Sequence, residues 1–183
     1  KEGVENIDEI LNIADGIMIA RGDLGVEVPA EDVPLIQKSI ISKCKDMGKI
    51  VITATQMLES MQTNPRPTRA EVSDVANAIF DGTDAIMLSG ESAQGKYPEE
   101  SVMTMSRIAL KTEQSLDYDA LHRQAVLTAG KDTSEAICMS VAEIASKFQV
   151  AAIIAFTESG FTARKMSRYR PEARIIAATP IVN

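Results

Sequence analysis

The sequence predicts a parallel α/β protein made of two units. Three observations predict it. Short, wholly apolar strands recur at roughly 34-residue intervals; a stretch with helical spacing lies between each pair; and hydroxyl or charged residues collect where each strand ends. Strands that are apolar along their whole length are expected to be covered on both faces. The 183 residues suffice for one sizeable core or for one and a half domains.

The elements follow in order. Val4, Ile7, Leu11 and Ala14 stand at helical spacing, and Asp15-Gly16 breaks that pattern before a strand, Ile17 to Ala20. After Pro29 a helix carries Val33, Ile36, Ile40, Cys44 and Met47 on one stripe and stops at Gly48, suited to a left-handed cap. The next strand is KIVITAT, 49–55. A short apolar piece, QMLESM, leads into TNPRPTRAE, whose prolines exclude regular structure. Thr68 and Glu71 form a capping box for a helix through Val72, Val75, Ala76, Ile79 and Phe80, ended by Asp81-Gly82. A third strand, DAIMLSGES at 84–92, precedes a long helix opened by Pro98 and running to about 114.

Beyond 115 the texture changes. SLDYDALHRQAVLTAGKD lacks a sustained period and reads as a connector holding a short helix. Asp132 and Glu135 then cap a helix expected to turn Ala136, Ile137, Val141, Ile144 and Phe148 inward. VAAIIAFT and ARIIAAT are two further buried strands, separated by a helix near 162–169 that Arg170-Pro171 closes. The boundary is expected within 116–130, dividing the chain into 1–116 and 117–183.

Composition narrows the partners. With 45% hydrophobic and 25% charged residues the chain is globular, and a net charge of −7 offers no field for nucleic acid or anionic lipid. No apolar run approaches the roughly 20 residues of a membrane span. Neither nucleic acid nor a membrane is an expected partner. Cys44 and Cys138 fall on apolar helix faces and read as packed thiols, compatible with a reducing cytoplasm. His122 is the only histidine, so chemistry needing two imidazoles is excluded.

The strand ends carry Arg21 and Asp23, Thr53 and Thr55, and Ser89 and Glu91. In parallel α/β proteins ligands bind at that end, because the loops converge there. Asp23, between Gly22 and Gly25, suits a hard divalent cation bridging a carboxylate or phosphate, and Gly22 lets backbone amides approach an anion. It equally suits a helix cap. Arg21-Gly22-Asp23 also spells an adhesion tripeptide, which would need an exposed, flexible loop. Thr55 could donate to a developing oxyanion or simply be a good strand former. Ser89 and Glu91 could polarise each other in a proton relay, or be an N-cap serine beside a solvated glutamate. In the second unit Thr157, Ser159 and Thr162 surround Gly160 at a helix start, a phosphate nest without a Walker lysine or an ordinary capped turn.

Several long segments carry a resemblance. IMIARGDLGVEVPAEDV, VITATQMLESM and NPRPTRAEVSDVANAIFDGTDAIMLSGESAQGKYPEE closely resemble consecutive segments of the pyruvate kinase family, and DTSEAICMSVAEIA resembles the start of its C-terminal domain. The resemblance implies phosphoryl transfer from phosphoenolpyruvate to ADP, giving pyruvate and ATP in glycolysis. It implies Mg2+ (or Mn2+), and K+ held by ligands outside this chain. The implied fold is the last three βα units of a TIM (β/α)8 barrel, 1–116, followed by the beginning of an α/β regulatory domain, 117–183. By the same resemblance Asp23 ligates magnesium, Gly22 and Asp23 hold the substrate carboxylate, Thr55 lies near the substrate methylene, and Ser89 with Glu91 relays the proton. Thr157, Ser159, Gly160 and Thr162 resemble a loop that grips the phosphate of a sugar-phosphate or nucleotide effector, and the parent is expected to be a homotetramer.

In that family the phosphate-stabilising lysine and the second magnesium glutamate belong to the strand just before KEGVENIDEI. Lys1 is therefore expected to begin past them, and the isolated chain is expected to be an inactive fragment, in keeping with the lack of an initiator methionine. Two other functions stand beside this one. A phosphoenolpyruvate- or pyruvate-handling lyase is disfavoured by the NPRPTRAE and SGESAQGKYP segments, and a non-catalytic interaction module would display the Arg-Gly-Asp tripeptide.

Overall fold

A computed structural model describes residues 1–180; Ile181 to Asn183, at the end of the second expected unit, lie outside the described residues. The chain divides into two compact units, Lys1–Leu116 and Asp117–Asn183.

The first unit opens with α1 (Glu2–Glu5) and α2 (Ile7–Ile13), two short helices where the spacing predicts one, because Asn6 leaves helical geometry at φ −103° and ψ 18°. Strand β1 (Gly16–Ala20) runs straight into α3 (Arg21–Glu27), and α4 (Val33–Met47) follows with proline in its first turn. Gly48 closes α4 at φ +64°, a left-handed conformation that costs glycine little. Strand β2 (Ile50–Ala54) then pairs in parallel with β1, from Gly16 opposite Ile50 to Ala20 opposite Ala54. Only glycine fits at the start of β1, since a Cβ on Gly16 would lie 2.6 Å from the Ile50 carbonyl oxygen. Helix α5 (Arg69–Asp81) starts with the predicted capping box, Thr68 accepting from the Glu71 amide and Glu71 accepting from the Thr68 amide.

Strand β3 (Ala85–Met87) is shorter than DAIMLSGES predicts. The chain leaves the ladder after Met87 and Gly90–Ala93 forms α6, which carries Glu91 inward to backbone amides instead of extending the strand. Helix α7 (Pro98–Glu113) completes the unit. The sheet order is β1-β2-β3, all parallel, with connections that run through helices as a parallel sheet requires.

Two cores hold this unit. Leu11, Ile19, Ile40, Ile41, Cys44 and Val51 form one, and Met57, Leu58, Met61, Val75, Ala78 and Met105 the other. The expectation that both faces of each strand are covered does not hold within the described residues. Ile19, Val51 and Thr53 are buried on the helix side, whereas Met18 and Ile50 on the opposite face are 53% and 57% exposed. Their apolar character marks that face as one built to be covered.

In the second unit the expected connector is a regular helix, α8 (Tyr118–Leu127), capped by Asp117 accepting from the Ala120 amide at 2.8 Å. Helix α9 (Thr133–Phe148) is capped by Asp132 as predicted. Strand β4 (Ala152–Phe156), helix α10 (Phe161–Ser167) and strand β5 (Arg174–Ala178) follow, with β4 and β5 parallel. The predicted inward face of α9 is corrected. Cys138, Ala142 and Ala145 enter the core with Glu135, while Ala136, Ile137, Ile144 and Phe148 are exposed and Val141 lies at the edge. Small side chains let α9 approach closely, and Glu135 turns inward with them to meet Arg168 and Tyr169. Phe156 and Ile154 on β4 are likewise exposed, against the expectation of a strand buried on both faces. Both cysteines are free and buried, as packed thiols should be.

Candidate functional site at the strand ends

The register of the first sheet brings the predicted site residues to one edge. Ala20 pairs with Ala54 and Ala54 with Met87, so the segments that follow, from Arg21, Thr55 and Leu88, leave the sheet side by side. Asp23 sits in the first turn of α3, exposed, and its carboxylate has no hydrogen bond or ion pair among the described residues. Thr55 is half-buried, and its Oγ1 accepts the Gly22 amide at 2.7 Å. That contact leaves the Thr55 hydroxyl proton free to donate. It also means that the Gly22 amide is occupied when no ligand is bound.

The turn after β2 is unusual. Thr55 and Gln56 have φ of +67° and +53°, consecutive non-glycine residues in the left-handed region. Such conformations cost about 1–3 kcal/mol each and persist only where the surroundings hold them. Arg21 supplies that hold. Its Nη2 donates to the Thr55 carbonyl at 2.8 Å and the Gln56 carbonyl at 3.3 Å, and its Nη1 pairs with Asp74 at 2.7 Å. The Arg21 side chain is only 10% exposed. The Arg-Gly-Asp tripeptide is thus the start of a helix with its arginine turned inward, not a protruding adhesion loop.

Ser89 and Glu91 come together differently from the predicted relay. Glu91 is 1% exposed, so it is no solvated glutamate. Its Oε1 accepts the Leu58 amide at 3.0 Å and its Oε2 the Ser89 amide at 2.8 Å. The carboxylate therefore fastens the segment after β2 to the turn after β3. Ser89 stands at the N-cap of α6 without a side-chain capping bond, and its hydroxyl has no partner among the described residues. Thr53 is fully buried and donates to Thr83 Oγ1 at 3.0 Å, which removes it from the site.

Glu71 anchors the proline-rich loop. It accepts from the Ser60 amide at 2.7 Å and the Ser60 hydroxyl at 2.6 Å in addition to Thr68. Burial pushes its carboxyl up, but the hydrogen bonds from Ser60 and Thr68 outweigh that and hold it below the ordinary carboxylate value.

In the second unit Gly160 is the N-cap of α10 at φ +79°, and the side chains of Thr157, Ser159 and Thr162 make no hydrogen bond among the described residues. Sequence reasoning missed the charged cluster nearby. Glu135, 5% exposed, accepts from Arg168 at 3.0 Å and from the Tyr169 hydroxyl, while Lys165 pairs with Asp132 at 2.8 Å. Desolvation first, and then the bond to Glu135, raise the Tyr169 phenol above its usual value. The i, i+3 spacing of Lys165 and Arg168 was the available signal.

Among the described residues no group of three or more acidic, histidine or cysteine side chains is arranged to hold a metal, and no helix is long and apolar enough to cross a membrane. Asp23 nevertheless fits a hard cation, because magnesium accepts one or two protein carboxylates and completes its shell with water and substrate oxygens.

Comparison with known proteins shows the family. Residues 1–102 match the family model described as pyruvate kinase, barrel domain, and 135–183 the one described as pyruvate kinase, alpha/beta domain. The pyruvate kinase of Geobacillus stearothermophilus is 62% identical over 179 residues, covering 98% of this chain and 30% of that protein. That of Clostridium perfringens is 59% identical over 187 residues, covering 98% and 38%. A crystal structure of a pyruvate kinase from Cryptosporidium parvum superposes with a TM-score of 0.95 at 49% identity, over 98% of this chain and 37% of that one. The chain spans about a third of the length of these relatives. On the extent of these matches, this chain belongs to the pyruvate kinase family.

Proposed function

We propose that the protein to which this chain contributes transfers the phosphoryl group of phosphoenolpyruvate to ADP, yielding pyruvate and ATP in the cytoplasm. One observation carries the reading. In a chain of this family, Asp23, Thr55 and Ser89 follow three neighbouring strands at the same edge of a parallel sheet, each with a free carboxylate or hydroxyl proton. The three βα units are then the last three of an eight-stranded barrel, and the second unit begins a regulatory domain of a homotetramer.

Asp23 would hold a divalent cation. When bound, that cation supplies Lewis-acid neutralisation of the phosphoryl and enolate oxygens. The residues of this chain do the rest. The amides at the start of α3, Gly22 and Asp23, receive the substrate carboxylate, the former after yielding its bond to Thr55. The Thr55 hydroxyl lies against the substrate methylene and donates toward developing enolate charge. Ser89 relays a proton from solvent water to the enolate carbon, its hydroxyl taking one proton from that water as it gives one up and leaving hydroxide to the solvent, which drains the product as pyruvate. Glu91 takes no proton in this scheme; it fixes the backbone on which Ser89 is mounted. Thr157, Ser159, Gly160 and Thr162 receive the phosphate of a sugar-phosphate or nucleotide effector.

The test is pyruvate formation by the full-length protein. It requires phosphoenolpyruvate, ADP and Mg2+ together, with stimulation by K+. A full-length protein that forms no pyruvate under those conditions, or forms it without ADP, refutes the reading.

A further inference from the structure

We propose that Arg21 is a positioning residue, whose guanidinium holds the left-handed turn after β2 so that the Thr55 hydroxyl faces the site. The inference rests on the reading of Thr55 as a substrate-contacting residue, and extends it to a side chain that touches no substrate.

The geometry is specific to a guanidinium. Three successive carbonyls, of Ala54, Thr55 and Gln56, face Arg21 at 3.4, 2.8 and 3.3 Å. An extended strand would send alternate carbonyls to opposite sides. Here the left-handed φ of Thr55 and Gln56 gathers them onto one donor group. The same turn presents Thr55 Oγ1 to the Gly22 amide, next in the chain to Arg21. Arg21 thus grips both sides of one short bridge between strand ends. The far side of the guanidinium is fixed by Asp74 at 2.7 Å and Gln37 at 3.5 Å, on α5 and α4. A planar fork with five donors can serve three carbonyls and a carboxylate at once, whereas a lysine ammonium has three donors on a flexible stem. Lysine here keeps the charge and the reach to Asp74 but not the set of carbonyl bonds.

The experiment is a double-mutant cycle in the full-length enzyme, using Arg21→Lys and Thr55→Val. Arg21→Lys is expected to lower kcat about tenfold or more, the cost of a small misplacement of a reacting group, with KM for phosphoenolpyruvate changed less than threefold. In the Thr55→Val background the same change should alter kcat less than about twofold, because the hydroxyl it positions is gone. Gln56→Gly, which relaxes the left-handed strain without touching Arg21, should restore most of the kcat lost in Arg21→Lys. Amide hydrogen exchange over residues 54–58 should quicken in Arg21→Lys and recover with Gln56→Gly. Independent, multiplicative effects on kcat, a large KM change, or wild-type kcat in Arg21→Lys would each overturn the proposal. If Arg21→Lys gives no folded enzyme, Asp74→Asn is put through the same cycle, with a smaller loss of about threefold expected and the same coupling required. An inactive wild-type enzyme refutes the proposed function. The exchange measurement then still decides on Arg21, since unchanged exchange at 54–58 refutes its hold on the turn.

Discussion

Replacing Glu91 with glutamine separates a structural carboxylate from a catalytic one. The side chain is 1% exposed and each of its oxygens accepts one backbone amide, from Leu58 at 3.0 Å and Ser89 at 2.8 Å. Alanine at this position leaves two buried N–H groups without acceptors, at about 1–3 kcal/mol each, or roughly 2–6 kcal/mol together. Glutamine is almost the same shape but has only one acceptor oxygen. Whichever amide receives it, the other meets an NH2 group, donor against donor. The expected loss is therefore about 1–3 kcal/mol for an isosteric change, against a total of about 5–15 kcal/mol for a typical domain. Urea denaturation of the full-length protein at one fixed concentration measures it, as a lower midpoint with an unchanged slope. Asp, one methylene shorter, should not rescue. A Glu91→Gln protein that unfolds at the wild-type midpoint yet has lost its turnover would show that Glu91 moves protons and that the fastening argument is wrong.

Three further outcomes follow from the same geometry. Glu71 has its folded-state pKa lowered, so its contribution to stability is present above its unfolded value of about 4.3 and is lost as pH falls through the depressed one. Glu71→Gln should flatten the acid limb of a stability-against-pH curve below the ordinary carboxylate range, and an unchanged limb refutes it. Asp23→Asn should lower Mg2+-dependent kcat on the order of a hundredfold, equivalent to the few kcal/mol of charge stabilisation a metal supplies, while leaving the thermal midpoint in place. Burial, and then the charge of Asp84, push the Cys44 thiol up to about 11, and Cys138 is raised too. Neither thiol should react with an aromatic disulfide reagent at pH 8 until the protein is denatured.

The elements that were legible in the sequence are those set by local rules. The capping box at Thr68 and Glu71, the left-handed Gly48 and the proline opening of α7 depend on residues within one helical turn of each other, and all appear as expected. The convergence of the strand ends, on which the candidate site rests, was legible for a related reason, since apolar runs that stop at hydroxyls and carboxylates are visible without knowing the fold. What was not legible depends on partners far along the chain. The face α9 turns to its own core carries Glu135, which meets Arg168 and Tyr169 more than thirty residues away, while the larger apolar stripe of Ile137, Ile144 and Phe148 stays exposed within this chain. The shortness of β3 is set by Glu91 reaching the Leu58 amide, again from a distant segment. Periodicity assigns a face to each side chain by hydrophobicity alone, so it misplaces any helix or strand whose orientation a buried charge decides.

The edge of the first sheet is organised by such charges. Arg21 joins the end of β1 to the end of β2 by donating to carbonyls, and Glu91 joins the segment after β2 to the turn after β3 by accepting from amides. Glu71 does the same for the loop that leads into α5. Apolar packing could bury these segments but would leave their backbone groups unpaired, at a cost that only a directional partner removes. A charged side chain answers several such groups at once and fixes their direction as well as their position. That is what a site needs if a carboxylate and two hydroxyls on three separate segments are to converge, and among the described residues Asp23 and Ser89 are the side chains left without partners. Arg21, Glu91 and Thr53 are already committed, whereas Thr55 accepts the Gly22 amide and keeps its hydroxyl proton to donate. Under the proposed function the candidate reactive groups are those the scaffold does not consume, the Asp23 carboxylate and the hydroxyl protons of Thr55 and Ser89, and Glu91 is assigned to the scaffold.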